Sequence, residues 1–319
     1  MADKKTIAVV GATGQQGGGL AHAVLADRGS EFGVRAVTRN PGSDKAKALA
    51  ALGAEVVQAD VDDEASVAKA LDGAYGAFLV TNFWEHMSPQ REYEQARNLA
   101  RAAKSAGVKH AIWSTLEDTR LSVPLEDDRM PTLMGEYKVP HFDVKGEANA
   151  LFTEAGVPTT FLQTTFYWDG FLGSFGPQRQ EDGSLVLAMA MGDSRLAGIA
   201  SEDIGRTAYG IFKRGGGFAG ETVSIAGEHL TGREIAAAFT DALGEPVHYH
   251  AVPFDGLRAA GFPAAEEIGN MFQYYAEFQD EFTGRRDLAR VRELNPELKS
   301  FRTWLAANKE ALGTRGTAE

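Results

Sequence analysis

The chain has 319 residues, with 32 Lys and Arg against 44 Asp and Glu, a formal net charge of −12 and no cysteine. This length can bury one large core or two modest ones without covalent staples, and the lack of thiols excludes disulfides, thiolate nucleophiles and zinc–thiolate sites. The acidic balance, with no clustered Lys/Arg run, argues against a nucleic-acid surface and so against a regulator acting directly on DNA.

No apolar run approaches the roughly 20 residues of a membrane-spanning helix, and the polar residues 1–6 lack a signal-peptide core, so a soluble cytoplasmic protein is expected. In chain order, strand-like apolar runs at residues 6–10, 34–38, 54–58, 77–81, 109–114 and 159–163 alternate with helical spacing at 20–26, 45–52, 66–71 and 93–106. That alternation, with several strands apolar almost throughout, predicts an α/β fold built on a Rossmann-type doubly wound parallel sheet. After about Phe166 the pattern loosens, and Gly170, Gly173, Gly176 and Gly183 precede strand-like runs at 185–189 and 222–226. Helical patterns follow at 204–212, 235–243 and 264–282, so a smaller C-terminal α/β lobe is expected over 164–319, with room for some of its segments to return to the sheet of residues 1–163. Residues 313–319 read as a frayed tail.

The chemistry concentrates at strand ends. Gly11, Gly14 and Gly17 form G-A-T-G-Q-Q-G between an apolar strand and a helix. In that setting a tight turn aims backbone N–H groups and a helix dipole at a pyrophosphate, where side chains would obstruct turn, ligand or packing. At the end of the second strand an acid would hold the ribose 2′-hydroxyl of NAD and an arginine the 2′-phosphate of NADP. Arg39 stands there, whereas Glu31 lies at the strand's other end. Arg39 therefore favours NADP(H), with an ordinary exposed arginine as the alternative, and Lys45 and Lys47 add charge or simply solvate a helix. Asp60 after the third strand is placed either to accept from an adenine amino group or to cap the next helix. Thr81, Asn82 and Phe83 follow the fourth strand, facing the ribose and nicotinamide or merely ending the strand.

Short-chain dehydrogenases pair a tyrosine with a lysine four residues later on one helical face, the ammonium lowering the phenol pKa. In Pro140-His141-Phe142-Asp143-Val144-Lys145 the lysine keeps its place and His141 stands where the tyrosine would be. An imidazole could still transfer a proton at neutral pH, or serve only as a packing residue at a helix start. Glu117, Tyr137 and Tyr167 are further polar candidates. His248 and His250 share one face of a strand-like run but lack an obvious third metal ligand, so no metal site is expected.

Taken together, Gly11 to Gly18, Val37-Thr38-Arg39-Asn40-Pro41, Gly53 to Gln58, Val80-Thr81-Asn82-Phe83-Trp84-Glu85, His141 to Glu147 and Gly261-Phe262-Pro263 resemble the NmrA-like proteins, an atypical short-chain dehydrogenase branch, over nearly the whole chain. The resemblance implies NADP contacts from Gly11, Thr13, Gly14, Gln15, Gln16, Gly17, Arg39, Asp60, Thr81, Asn82, Phe83, Lys145 and Tyr167. Relatives without the catalytic tyrosine report the NADPH/NADP ratio through conformation and partner binding, and Gly170 departs from the asparagine they carry. Other relatives resemble reductases of small aromatic compounds that use the lysine alone.

Two expectations follow. One is a redox sensor or regulator that binds NADP(H) without turnover, reshapes the loops at 115–139 and 170–183, and associates with a protein partner or a second copy of itself. The other is an NADPH-dependent reductase of a small carbonyl, quinone or aromatic substrate, with Lys145 and His141 supplying the proton in a pocket lined by Phe83, Trp84, Phe166, Tyr167 and Trp168.

Overall fold

In the computed structural model, which describes residues 4–313, strand and helix alternate as the apolar pattern predicts. The order is β1 (Lys5–Val10), α1 (Gln15–Ala26), β2 (Phe32–Thr38), α2 (Asp44–Ala51), β3 (Glu55–Gln58), α3 (Glu64–Leu71), β4 (Gly76–Leu79), α4 (Pro89–Ser105), β5 (His110–Thr115), α5 (Pro140–Glu147), α6 (Asn149–Ala155) and β6 (Thr159–Gln163). The frayed tail expected at 313–319 lies, apart from Gly313, outside the described residues.

Beyond residue 163 come β7 (Phe166–Tyr167), β8 (Gln178–Arg179), β9 (Leu185–Met189), β10 (Arg195–Ile199), α7 (Ser201–Arg214), β11 (Thr222–Ser224), β12 (Glu228–Thr231), α8 (Gly232–Leu243), β13 (Val247–Ala251), α9 (Phe254–Arg258) and α10 (Ala265–Glu277). Short helices α11 (Gln279–Gly284), α12 (Leu288–Leu294), α13 (Phe301–Ala307) and α14 (Lys309–Gly313) complete the described residues. The single helix expected over 264–282 is thus broken at Phe278, whose ring stacks on Tyr274 with centroids 5.2 Å apart.

The main sheet has seven strands in the order β11-β6-β5-β4-β1-β2-β3, all parallel. The chain runs outward from β1 to β3 and then returns to β4 on β1's other side. This reversal leaves a crevice at the carboxyl ends of β1 and β4, where open α/β sheets bind ligands. Both faces are covered, and the side-chain alternation of β1 shows it. Ile7 and Val9 pack with α1, α2 and α7, while Ala8 and Val10 pack with α3, α4 and α6.

Two segments beyond residue 163 belong to this sheet. β11 extends its edge beside β6, and α7 crosses α1 backbone to backbone. A Cβ on Gly205 would lie 2.1 Å from the Leu20 nitrogen and one on Gly19 2.4 Å from the Glu202 oxygen, so this crossing needs glycine on both helices. Apart from α12, whose Val291 and Leu294 pack beside α7 in the first core, the rest forms a second layer, with three-stranded sheets β12-β10-β7 and β13-β9-β8. Its own core gathers Phe166, Trp168, Phe171, Phe239, Phe301 and Trp304. Among the described residues no helix is long and apolar enough to cross a membrane.

Candidate functional site

A cleft of about 540 Å³ opens over the switch point. Of the residues singled out from sequence, Gly11, Thr13, Gly14, Gln15, Gln16, Gly17, Arg39, Thr81, Asn82 and Tyr167 line it. Asp60, Phe83, His141 and Lys145 stand outside its walls, Lys145 directly behind the lining residue Thr81, to which it is bonded.

At one end the main chain does the shaping. Gly11 has φ +67°, a left-handed conformation that a side chain disfavours, and its carbonyl accepts from the Gly14 N–H at 2.9 Å. A Cβ on Gly17 would meet that same carbonyl oxygen at 2.5 Å. Helix α1 begins with no side-chain cap and no acid in its first turn, so the amides of that turn and the positive end of the dipole are left for a ligand. Gln16 is fixed from both sides: its Oε1 accepts from Ser114 Oγ at 2.7 Å, and its Nε2 donates to the Tyr167 hydroxyl at 2.7 Å. Tyr167 also lies 3.1 Å from Thr164 Oγ1, and desolvation pushes its phenol up to about 12, so it stays neutral at ordinary pH.

Arg39 follows β2, as the sequence places it, and makes a two-pronged ion pair with Glu85 from the one-turn helix Phe83–Glu85. The guanidinium holds the Glu85 carboxyl below the usual carboxylate range. Asp60 is exposed; its side chain accepts from the Asp62 N–H at 3.0 Å, and the cap of α3 is Asp63. Lys45 and Lys47 are exposed and line no part of the cleft. Glu31 pairs with Lys5 at 2.7 Å, at the opposite end of the strands.

The far end is built from side chains. Lys145 Nζ lies 2.6 Å from Glu92 Oε1 and donates to Thr81 Oγ1 at 2.8 Å and the Thr81 carbonyl at 3.2 Å. Thr81 Oγ1 in turn donates to Glu92 Oε1 at 2.5 Å. Glu92 is fully buried, and its second oxygen faces His86 Nε2 at 3.3 Å. The Ser88 N–H donates to His86 Nδ1 at 3.1 Å, which fixes the ring beside that carboxylate. Sequence reasoning missed Glu92, whose visible signal was only an acid near the start of a helix, the ordinary complement of a helix dipole.

His141 is buried, and Glu267 Oε1, on α10, accepts from both its Nδ1 and its backbone N–H at 2.7 Å. The Trp84 ring lies 4.6 Å from the imidazole and Phe142 4.8 Å. Phe83, expected to face the ligand, is buried instead, and its neighbour Trp84 takes the wall position. The turn puts Phe83 inward and swings the next residue out.

The remaining candidates have structural partners. Glu117 pairs with the buried Arg286 at 2.8 Å, Tyr137 lies under the Arg120 guanidinium, and His248 and His250 are exposed on β13. Among the described residues no three His, Cys, Asp or Glu groups gather as a metal site. The segment 115–139 is tied down by Asp143, which accepts from Thr119 N and Oγ1 and from the Lys138 and Val139 amides. Lys138 adds bonds from Nζ to the Asp127 and Met130 carbonyls.

Comparison with known proteins agrees with this architecture. NmrA, a negative transcriptional regulator solved in complex with NAD, superposes with a TM-score of 0.79 at 25% identity, covering 98% of each chain. The NADPH-dependent quinone oxidoreductase QOR2 of Escherichia coli, complexed with NADPH, gives 0.73 at 25% identity, covering 96% of this chain and 99% of that one. The NmrA-like family domain-containing oxidoreductase malD of Malbranchea aurantiaca is 30% identical over 260 residues, 77% of this chain and 75% of that protein. A sequence profile of the NmrA-like family matches residues 3–305, and so the chain belongs to the NmrA-like family.

Proposed function

We propose that this protein binds NADP(H) across the cleft, from Arg39 at the adenosine end through the uncapped start of α1 to Thr81 and Lys145, and acts as a cytoplasmic redox sensor or regulator. NAD and NADPH complexes of similar proteins support a nicotinamide dinucleotide here. The sensor reading is carried by His141. At the position of the dehydrogenase tyrosine stands an imidazole whose Nδ1 and amide are both held by a buried carboxylate from the second layer. Such a group joins the dinucleotide-binding layer to α10, and what it joins is what a sensor must couple.

A second reading is favoured by the relatives that are named oxidoreductases, and by the retained lysine. Here Lys145 would orient the nicotinamide ribose and pass a proton to the oxygen of a small carbonyl or quinone reduced at the cofactor. Calorimetric titration with NADP⁺ and NADPH, followed by NADPH absorbance decay against carbonyl and quinone panels, separates the two. Binding without turnover is the expected result. Turnover lost in Lys145→Ala would replace the sensor with the reductase, and no binding of either dinucleotide would remove both.

A further inference from the structure

The cation that would read the 2′-phosphate has a partner in the protein itself. Arg39 points both terminal nitrogens at Glu85, and two further carboxylates, Asp60 and Asp62, act on the same guanidinium. Asp62 is held by Arg91 and by Gln95 Nε2 at 2.8 Å, so it is already committed. Among the described residues Arg39 is the cation bonded to Glu85, with Arg91 acting on it only from a distance, and both side chains of the Arg39–Glu85 pair are well exposed, at 59% and 40%. An exposed carboxylate is weak competition for a phosphate monoester, which carries nearly twice its charge and can use the same two-pronged geometry.

We propose that Glu85 sets how strongly the cleft prefers NADP(H) over NAD(H): its carboxylate and the ribose 2′-phosphate compete for the Arg39 guanidinium, and only the phosphorylated dinucleotide frees the Phe83–Glu85 turn. This rests on the NADP(H) reading above and deepens it. Expelling Glu85 has a consequence beyond affinity, because the neighbouring residue is Trp84, packed on His141, which is bonded to Glu267 of α10. The turn therefore spans from the phosphate-reading arginine to the joint with the second layer. NAD(H), lacking the 2′-phosphate, leaves the Arg39–Glu85 pair in place.

The test is calorimetry of NADP⁺ and NAD⁺ on the full chain and on Glu85→Gln, an exposed and nearly isosteric change. The variant should bind NADP⁺ about three- to tenfold more tightly, with NAD⁺ affinity within about twofold of the parent. NADP⁺ affinity that is unchanged or weakened in the variant would overturn the competition, a weakening meaning that Glu85 orients Arg39 for the phosphate. Failure of the parent to bind either dinucleotide would instead sink the cofactor reading on which the proposal stands. Tryptophan fluorescence gives the second measurement: NADP⁺ should change the emission more than NAD⁺ does, and Trp84→Phe should abolish that difference. Equal responses to the two dinucleotides in the parent would overturn the release of the turn.

Discussion

The two ends of the cleft are made differently. At the α1 end, the shape of the site rests on main-chain geometry within seven consecutive residues, Gly11 to Gly17, one strand and one helix start. At the Lys145 end it rests on side chains brought from α4, α5 and α10, each bonded to a partner far away in sequence. The first end can be damaged only by adding atoms, since its parts are backbone. The second can be damaged by removing them, because buried charges there neutralise one another.

The largest expected effect follows from that contrast. Among the described residues Glu92 is the one carboxylate bonded to Lys145, and it is fully buried, so Glu92→Ala leaves an ammonium in a mostly dry site. Breaking a buried pair from one side should lower stability by about 3–5 kcal/mol, read from chemical denaturation. The double variant Glu92→Leu with Lys145→Met removes both charges and should recover most of the loss. If the single variant costs less than about 1 kcal/mol, the far end is not held by charge and the comparison fails.

What was legible in the sequence follows the same division. The strand, turn and helix around Gly11 are contiguous, so a short continuous apolar run and three glycines were enough to place them, and Arg39 came with the end of β2. The parallel, doubly wound sheet followed from strand–helix alternation, whereas the strand order came only with the structure. Helix α7 and strand β11 read only as later helix and strand, and their return to the first sheet depends on Gly19 meeting Gly205 and on β11 meeting β6, contacts that no local window contains. At the site, His141 and Lys145 were visible as a motif. Their partners Glu267 and Glu92 were not, because an acid in the first turns of a helix looks the same whether it faces water or a buried lysine.

The next effect tests the backbone end. Gly17→Val places a Cβ 2.5 Å from the Gly11 carbonyl oxygen, which must then retreat and open the turn. Affinity for NADP⁺ and NAD⁺ should fall together by about 100-fold or more, roughly 2.7 kcal/mol, because the pyrophosphate is common to both. Thermal melting monitored alongside separates loss of the turn from loss of the fold. A selective loss of NADP⁺ alone would show that the glycine turn does not hold the shared phosphates.

The smallest effect belongs to Arg39, where the two designs meet: a side chain, but one supplied locally by the end of β2. Arg39→Ala should weaken NADP⁺ about tenfold and leave NAD⁺ within about twofold, checked by calorimetry. A charge-assisted hydrogen bond contributes about 1.5–3 kcal/mol, and the low end applies because this guanidinium is exposed and is shared with Glu85. Removing Arg39 also leaves Glu85 facing the phosphate without a counter-charge, so Glu85→Gln in the Arg39→Ala background should restore part of the lost NADP⁺ affinity by relieving repulsion alone. Equal losses for NADP⁺ and NAD⁺ in Arg39→Ala would move phosphate recognition away from β2 and leave the glycine turn as the whole of the cofactor site.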